Sequence, residues 1–251
     1  MAPSPTLTAL LQAAVAAYGL AWALAALGNR WARAPLAAGL ALQLAWTVWR
    51  GCAIGFFPLT NKAESFSAGA FALALVALVA WNPARPFALT QLSLAVAAGV
   101  TAALFPQQLD FATPLLRTVW YPLHVPISFL AVSTWVAAAA AGVCWWADRD
   151  RAWLARVDRF ALWGFGLWSA SMVCGGVWGV LAWGAYFMWD PKIIWSVILW
   201  FHYASFVHLR LTPSLQARPW VRPALALAGV AWVLVATVGT SFFFGRSSHA
   251  F

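Results

Sequence analysis

Apolar runs of about twenty residues follow one another along this chain, and they limit the folds that it can adopt. No water satisfies backbone polar groups inside a bilayer, so a crossing segment must be a helix of roughly 20 mostly apolar residues. Of the 251 residues, 64% are hydrophobic and only 8% are charged, a composition typical of an integral membrane protein. The runs predict an all-α fold, a polytopic helical membrane bundle with about eight transmembrane helices. The predicted spans are roughly residues 8–28, 36–57, 66–82, 87–105, 124–147, 160–181, 193–211 and 222–242.

The loops between the spans predict one domain and its orientation. None is long enough to hold a soluble domain, so residues 1–251 are predicted to form a single membrane domain. Assigning alternate loops to opposite sides gives one side Arg30, Arg33, Arg85, Arg149, Arg151, Arg156, Arg159, Arg210, Arg218 and Arg222. The other side receives only Arg50, Lys62, Arg117, Lys192 and Arg246. The positive-inside rule makes the arginine-rich side cytoplasmic and both termini external. The net charge of +9 is therefore a signal of topology in a lipid bilayer, and no nucleic-acid partner is expected.

Tryptophans are concentrated at about residues 175–200, between the sixth and seventh predicted spans and on the outer side. The tryptophans of this aromatic segment are Trp178, Trp183, Trp189, Trp195 and Trp200. Glycines at 175, 176, 179 and 184 let the backbone approach a planar ligand. Such a surface suits a flat, mostly apolar ligand with acidic edges, and haem has that shape. The alternative, an interfacial aromatic belt, explains isolated tryptophans elsewhere but not five interleaved with glycines around a capped turn.

The aromatic segment also contains a predicted helix start. Asp190 can accept amide hydrogen bonds as an N-cap, and Pro191 is preset for the first helical position, so the seventh helix is expected to begin here. The positive end of its dipole, beside Lys192, can receive carboxylates such as haem propionates.

Four histidines occur in the chain. His124 begins the fifth span and His249 follows the last span, so both are predicted on the outer side with the aromatic segment. Two imidazoles on opposite sides of an aromatic shelf would provide bis-histidine ligation of haem iron. His208 lies near the inner end of the seventh span, where an ionisable group is a functional candidate, and its second ligand would have to come from a partner subunit. The alternative for each is a solvated or hydrogen-bonded histidine at a helix end. His202 is rotated from His208 by about 240° on a helix, so the two are not expected to bind one iron.

These residues resemble those of the CcsA (ResC-like) cytochrome c biogenesis proteins, members of a haem-handling group named for a Trp-rich WWD segment. The resemblance rests on Trp183-Gly184-x-Tyr186-x-x-Trp189-Asp190-Pro191-Lys192-x-x-Trp195, followed by Trp200, Tyr203 and His208-Leu209-Arg210. Also similar are Phe57-Pro58-Leu59-Thr60-Asn61 with Glu64-Ser65, and Thr113-Pro114-Leu115 through Trp120 to His124-Val125. The resemblance covers most of the chain beyond about residue 50.

The resemblance implies a function and a set of partners. The chain would be a haem-handling subunit of the cytochrome c maturation machinery, within a membrane cytochrome c synthase or haem lyase. His124 and His249 would be external axial ligands, and His208 a transmembrane ligand paired with a histidine of a CcsB (ResB-like) subunit. Haem b would reach the periplasmic side of the bacterial inner membrane. There it would be attached to apocytochrome c, whose cysteines a thioredoxin-like thiol reductant keeps reduced.

Within the expected site, tryptophans contact the porphyrin and polar residues orient its propionates. The contacting residues would be Trp178, Trp183, Trp189 and Trp195, and the orienting residues Asp190 and Lys192. Two positions depart from the family pattern: Phe187 stands where the family often has Trp, and Ile193 where it often has Glu. Neither departure removes a histidine.

Four alternatives to this interpretation remain at the level of sequence. A CcmC-type protein binds haem similarly, but its motif usually continues Trp-Asp-Ala-Arg and it has fewer spans. A CcsA-like paralogue of haem metabolism would lack the synthase partner. A small-molecule permease could use His202 and His208 as a proton relay, but it leaves the aromatic segment unexplained. The last is a structural subunit that stabilises a haem-bearing partner. Asp190-Pro191-Lys192 and about eight helices favour the CcsA-like interpretation.

Overall fold

Two compact units make up the chain, Met1–Pro122 and Leu123–Phe251. The computed structural model describes residues 5–240, except for the side chain of Arg210. Every regular element in that range is helical, as the sequence predicts.

The first unit is a bundle of four long helices. They are α1 (Pro5–Ala26), α2 (Arg33–Ile54), α3 (Lys62–Val79) and α4 (Arg85–Leu104), and a 3-10 turn at Arg30–Ala32 precedes α2. α1 and α2 run antiparallel: Leu7 shares an apolar cluster with Trp46, whereas Tyr18 shares one with Leu36. Alanines fill much of the core between α1, α3 and α4, which lets these helices pack closely.

The second unit contains the remaining helices. They are α5 (Trp120–Asp148), whose first turn belongs to the first unit, α6 (Ala152–Trp183), α7 (Pro191–Leu211), the short α8 (Pro213–Gln216) and α9 (Val221–Leu234). A π-helical segment, Val235–Gly239, continues α9.

Consecutive long helices of the second unit are antiparallel. His124 near the start of α5 contacts Ser171 in the second half of α6, while Trp135 further along α5 donates to the carbonyl of Ala161 early in α6 at 3.3 Å. By the same criterion α6 and α7 are antiparallel, and so are α7 and α9. The start of α5, the end of α6 and the start of α7 therefore lie at one end of the unit.

Seven of the described helices are long and apolar enough to cross a membrane by length and composition. They are α1, α3, α4, α5, α6, α7 and α9 with its π extension. α2 is also 22 residues long, but it contains Gln43 and Arg50, whose side chains are buried inside the first unit with polar partners. Together with α2, these seven helices match the eight predicted spans, which confirms the predicted polytopic helical bundle.

A buried polar network holds the connection between α2 and α3. Arg50 and Glu64 form an ion pair with Nε 2.5 Å from Oε1, and both side chains are 0% exposed. Arg50 also donates to the backbone carbonyls of Gln107, at 3.1 Å, and Gln108. The other carboxylate oxygen of Glu64 accepts from the amide of Thr60 at 2.6 Å and from its hydroxyl at 2.8 Å. Glu64 therefore belongs to the interior of the first unit, and its carboxylate is fully engaged there.

Candidate functional site

One end of the second unit brings His124 together with the first part of the aromatic segment. His124 lies in the second turn of α5 and is half-buried. Its Nδ1 is 2.8 Å from the backbone carbonyl oxygen of Ser171 and 3.0 Å from the hydroxyl oxygen of Ser171. That hydroxyl is also 3.0 Å from the backbone carbonyl oxygen of His124 and donates to it. Three short contacts thus tie α5 to α6 at these two residues.

The contacts of Nδ1 assign the tautomer of His124. A carbonyl oxygen can only accept, so Nδ1 must carry the proton and donate it to Ser171. Nε2 then has the free lone pair, which is the form of imidazole that binds a metal. Among the described residues, no hydrogen bond engages Nε2 of His124.

α6 makes room for this imidazole at a glycine. A Cβ atom on Gly175 would lie 2.7 Å from both Cε1 and Nδ1 of His124, closer than side-chain atoms can approach. One turn further along α6, the indole of Trp178 lies nearly parallel to the imidazole, with planes 24° apart and ring centroids 6.2 Å apart. Trp178 is buried. The histidine ring is thus enclosed by a glycine and a tryptophan of the same helix.

Trp178 continues into the rest of the aromatic segment through Trp183. Their rings meet edge to face with centroids 4.7 Å apart. α6 then ends at Gly184, whose φ of 75° is left-handed and whose amide donates to Val180 at 2.9 Å. The chain folds back so closely that a Cβ on Gly179 would lie 3.0 Å from the carbonyl oxygen of Ala185. The glycines named from sequence therefore shape a tight turn as well as a space beside the ring.

The middle of the aromatic segment is exposed. Tyr186 is 74% exposed, Phe187 47% and Trp189 85%. Phe187 and Trp189 contact each other edge to face at 5.4 Å between centroids. Large aromatic side chains exposed in this way form a surface that a flat apolar ligand can cover.

The predicted helix start is confirmed. Asp190 is the N-cap of α7, and its carboxylate accepts from the backbone amide of Lys192 at 2.9 Å. Pro191 is the first residue of the helix. Asp190 is only 6% exposed, so its capping carboxylate is buried, although the preceding residue, Trp189, is exposed. The first turn of α7, with Lys192, is the positive end of a helix of 21 residues.

The last two tryptophans of the segment lie on α7 and pack within the unit. Trp195 contacts Trp232 of α9 with centroids 5.7 Å apart, and Trp200 donates from Nε1 to the hydroxyl of Ser169 of α6 at 2.9 Å. The aromatic segment is thus built from three pieces: the end of α6, the exposed loop and the start of α7.

The other histidines lie elsewhere. His208 is exposed near the C-terminal end of α7, far along the helix from Asp190, as predicted. His202 has Nε2 2.9 Å from the carbonyl oxygen of Leu225 of α9, which gives it a packing role between helices. His249, the predicted second external ligand, lies outside the described residues.

Ser171 and the particular role of Gly175 were missed at the level of sequence. A usable signal is present, because Ser171, Gly175 and Trp178 are spaced by four and three residues and therefore share one face of a helix. Nothing in the sequence alone shows that this face is turned toward His124.

Fold and site together define a class of protein. It is a multi-pass helical membrane protein with a histidine and a tryptophan-rich segment at one end of a helical unit. The sequence model of the family described as "Cytochrome C assembly protein" matches residues 44–245. The chain therefore belongs to the cytochrome c assembly protein family, and its predicted place in cytochrome c maturation is confirmed.

Individual relatives agree with this membership. The chain is 28% identical to the cytochrome c biogenesis protein CcsA of Synechococcus sp. (strain CC9605) in an alignment of 243 positions that covers 78% of each protein. It is 29% identical to CcsA of Synechococcus sp. (strain CC9311) in an alignment of 271 positions that covers 88% of this chain and 86% of the relative. A shorter match, 42% identical over 80 residues, covers 32% of this chain and 23% of CcsA from Gloeobacter violaceus.

A solved structure shares the fold. The structure named cytochrome c haem lyase CcmF superposes with a TM-score of 0.74 at 20% sequence identity and covers 99% of this chain. The match takes in 48% of that protein, so the chain spans about half of its length. At this identity the likeness concerns the arrangement of the helices.

Proposed function

We propose that the chain presents haem on the periplasmic side of the bacterial inner membrane for attachment to apocytochrome c. The observation that carries this proposal is the state of His124. Its Nδ1 is committed to Ser171, its Nε2 keeps a lone pair, and its ring lies beside Trp178, which in turn contacts Trp183 at the end of α6, just before the exposed aromatic loop. A histidine held by one nitrogen and available at the other is the usual arrangement of a metal-ligating imidazole.

The aromatic segment would bind and orient the haem, the substrate of this protein. The porphyrin has two apolar faces and one edge with two carboxylates. Trp183 and Trp189 would contact the apolar part, and the buried Trp178 would support Trp183 from behind. Trp195, although packed on Trp232, would add to the same surface at the start of α7. Lys192 and the N-terminus of α7 would receive the propionates, while Asp190 keeps that N-terminus in place.

Two further histidines complete the proposed path of haem b. His249 would be the second external axial ligand. His208 would bind haem nearer the inner side, with the second ligand supplied by a CcsB (ResB-like) subunit, because the position of His208 at the opposite end of α7 separates it from the external site. Haem at the external site would then react with apocytochrome c.

The attachment adds reduced thiols to the vinyl groups of haem. Each cysteine sulfur forms a bond to one vinyl carbon, and the hydrogen of the thiol goes to the neighbouring carbon. A thioredoxin-like reductant would keep the cysteines reduced. This chain would contribute binding, orientation and axial ligation, which hold the vinyl groups in place until the thiols arrive.

Absorption spectroscopy of the purified full chain tests the external site. The protein, produced together with its ResB-like partner and supplied with haem, is expected to show the low-spin spectrum of a bis-histidine haem. His124→Ala and His249→Ala should each lower the low-spin signal per protein. His202→Gln serves as the control, because His202 packs against α9 and has no place in the proposed site. A low-spin signal per protein that neither alanine variant lowers would contradict the proposal.

The inner site is tested by comparing the chain with and without its partner. Haem content is expected to rise when the ResB-like subunit is present. His208→Ala should remove this additional haem and leave the external signal in place. If His208→Ala leaves haem content unchanged in the complex, His208 is not a ligand.

A further inference from the structure

One face of α6 is matched to the imidazole of His124. Ser171, Gly175 and Trp178 follow at intervals of four and three residues, so they form a stripe along one side of the helix. All three touch or closely approach His124: Ser171 by hydrogen bonds, Gly175 at the ring edge and Trp178 at the ring face.

Gly175 leaves space for the imidazole of His124 to reach the carbonyl oxygen that accepts its hydrogen bond. In an α-helix the carbonyl of residue i points toward the amide of residue i+4, so the carbonyl of Ser171 points toward Gly175. Side chains tilt toward the N-terminus of a helix, and a Cβ at residue 175 would cover the approach to this carbonyl. Such a Cβ would indeed meet Nδ1 of His124 at 2.7 Å. Only glycine leaves the second lone pair of the carbonyl accessible to the imidazole.

We propose that Ser171 and Gly175 are positioning residues that fix the tautomer and the orientation of His124. The carbonyl of Ser171 keeps the proton on Nδ1, its hydroxyl ties the α5 backbone at His124 to α6, and Gly175 provides the space for the imidazole ring. Nε2 is thereby the nitrogen that is available to bind iron. This inference rests on the proposed function of His124 as an axial ligand.

The proposal has a consequence for the iron. Donation from Nδ1–H to a carbonyl makes Nε2 a stronger electron donor, and a stronger donor stabilises ferric over ferrous haem. Loss of a partner that orients a ligating histidine commonly lowers metal affinity by about 10- to 100-fold. The α6 stripe should therefore set both the occupancy and the reduction potential of the external haem.

Gly175→Ala is the main test, with Gly166→Ala as the matched control. Both changes add one methyl group to α6, but nothing lies within 4 Å of a Cβ on Gly166. Alanine favours a helix over glycine, so the control should be neutral or stabilising. In the full chain with its partner, titrated with haem, Gly175→Ala is expected to weaken low-spin haem binding by about 10- to 100-fold. Gly166→Ala should bind like the unmodified protein.

Ser171→Ala gives a second, independent readout. It removes the hydroxyl that holds the His124 backbone but keeps the carbonyl that accepts from Nδ1. Haem should still bind, with a smaller loss of affinity than in Gly175→Ala. The midpoint potential of the external haem is expected to rise, because the proton on Nδ1 loses one of its two oxygen contacts, the Ser171 hydroxyl at 3.0 Å, and Nε2 then donates less strongly. A residue that only stabilises the fold would leave the potential of bound haem unchanged.

The outcomes separate this inference from the proposed function. If His124→Ala leaves the low-spin signal per protein unchanged, His124 is not a ligand and the proposed function fails. If His124→Ala lowers this signal while Gly175→Ala binds haem like Gly166→Ala, the external site stands and the positioning role is wrong. Should Gly175→Ala fail to fold, Ser171→Ala decides: an unchanged midpoint potential overturns the inference.

Discussion

Arg50 of α2 and Glu64 of α3 form an ion pair that is completely buried within the first unit. Burying two charges is costly, and the cost is offset only when every polar atom has a partner. Here the guanidinium also binds two carbonyls of the 107–108 segment, and the carboxylate binds Thr60. The pair therefore joins α2, the start of α3 and the segment after α4 at one place.

Removing one member of this pair should destabilise the protein strongly. Glu64→Ala leaves Arg50 buried and unpaired, and breaking such a pair typically costs about 3–5 kcal/mol. We expect a large loss of folded protein in thermal unfolding measured in detergent. The double variant Arg50→Met with Glu64→Leu removes both charges and should recover much of the loss. Equal stability of the single and the double variants would contradict a pairing role.

A stacked pair of rings predicts a second sensitive position, on α9. Trp135 and Tyr203 lie face to face, with ring centroids 3.7 Å apart and planes 2° apart. A Cβ on Gly229 would overlap the hydroxyl of Tyr203 and lie 3.0 Å from Nε2 of His202. Because Trp135 blocks Tyr203 from moving away, Gly229→Ala should cost about 1–3 kcal/mol by overpacking. Gly19→Ala on α1 meets open space and should not destabilise in the same unfolding assay.

The N-cap of α7 predicts different results for two substitutions of Asp190. Asparagine keeps an oxygen that accepts from the amide of Lys192, whereas alanine does not. Asp190→Ala is expected to cost about 1 kcal/mol and to lower haem binding, because the start of α7 loses its anchor. Asp190→Asn should retain both properties nearly in full. If the two variants lose haem equally while stability stays unchanged, the charge of Asp190, and not its capping, is what the site needs.

Local features of the site could be predicted from sequence. The start of α7 is fixed by Asp190-Pro191, two residues that specify a helix N-terminus wherever they stand beside an apolar run. The long helices could also be predicted, because each of them coincides with an apolar run. The start of a helix could not be predicted where it lies outside the apolar run. α6 begins at Ala152 and not near residue 160, because its first two turns contain charged residues. There Asp158 pairs with Arg222 at 3.4 Å, and Arg156 lies over Trp153.

Contacts between helices could not be predicted from the sequence. His124 and Ser171 are 47 residues apart, and their meeting depends on how α5 and α6 are rotated about their axes. Rotation is set by packing across the whole unit, for example by the Trp135 indole that sits against Gly164. Hydrophobic periodicity gives little help in a membrane helix that is apolar on all sides. The aromatic segment could therefore be recognised in the sequence, but the stripe of α6 that contacts His124 could not.

The charge of Lys192 should affect haem binding only through the propionates. Lys192→Gln removes one positive charge at the start of α7, and a half-exposed ion pair is worth roughly 0.5–1 kcal/mol, so haem affinity should fall by about 2- to 5-fold. Added salt should reduce this difference, because it screens the same attraction. Haem dimethyl ester has no carboxylates, so it is expected to bind the unmodified protein and Lys192→Gln equally well.

The control for Lys192 is Lys62→Gln, which removes one positive charge from the same predicted side of the membrane but from the start of α3. It should leave the affinity for haem unchanged at moderate salt. If Lys62→Gln weakens binding as much as Lys192→Gln, the effect comes from the general charge of that side. If Lys192→Gln also weakens binding of the dimethyl ester, Lys192 acts through the shape of the aromatic segment, because an uncharged porphyrin edge offers it no carboxylate to bind.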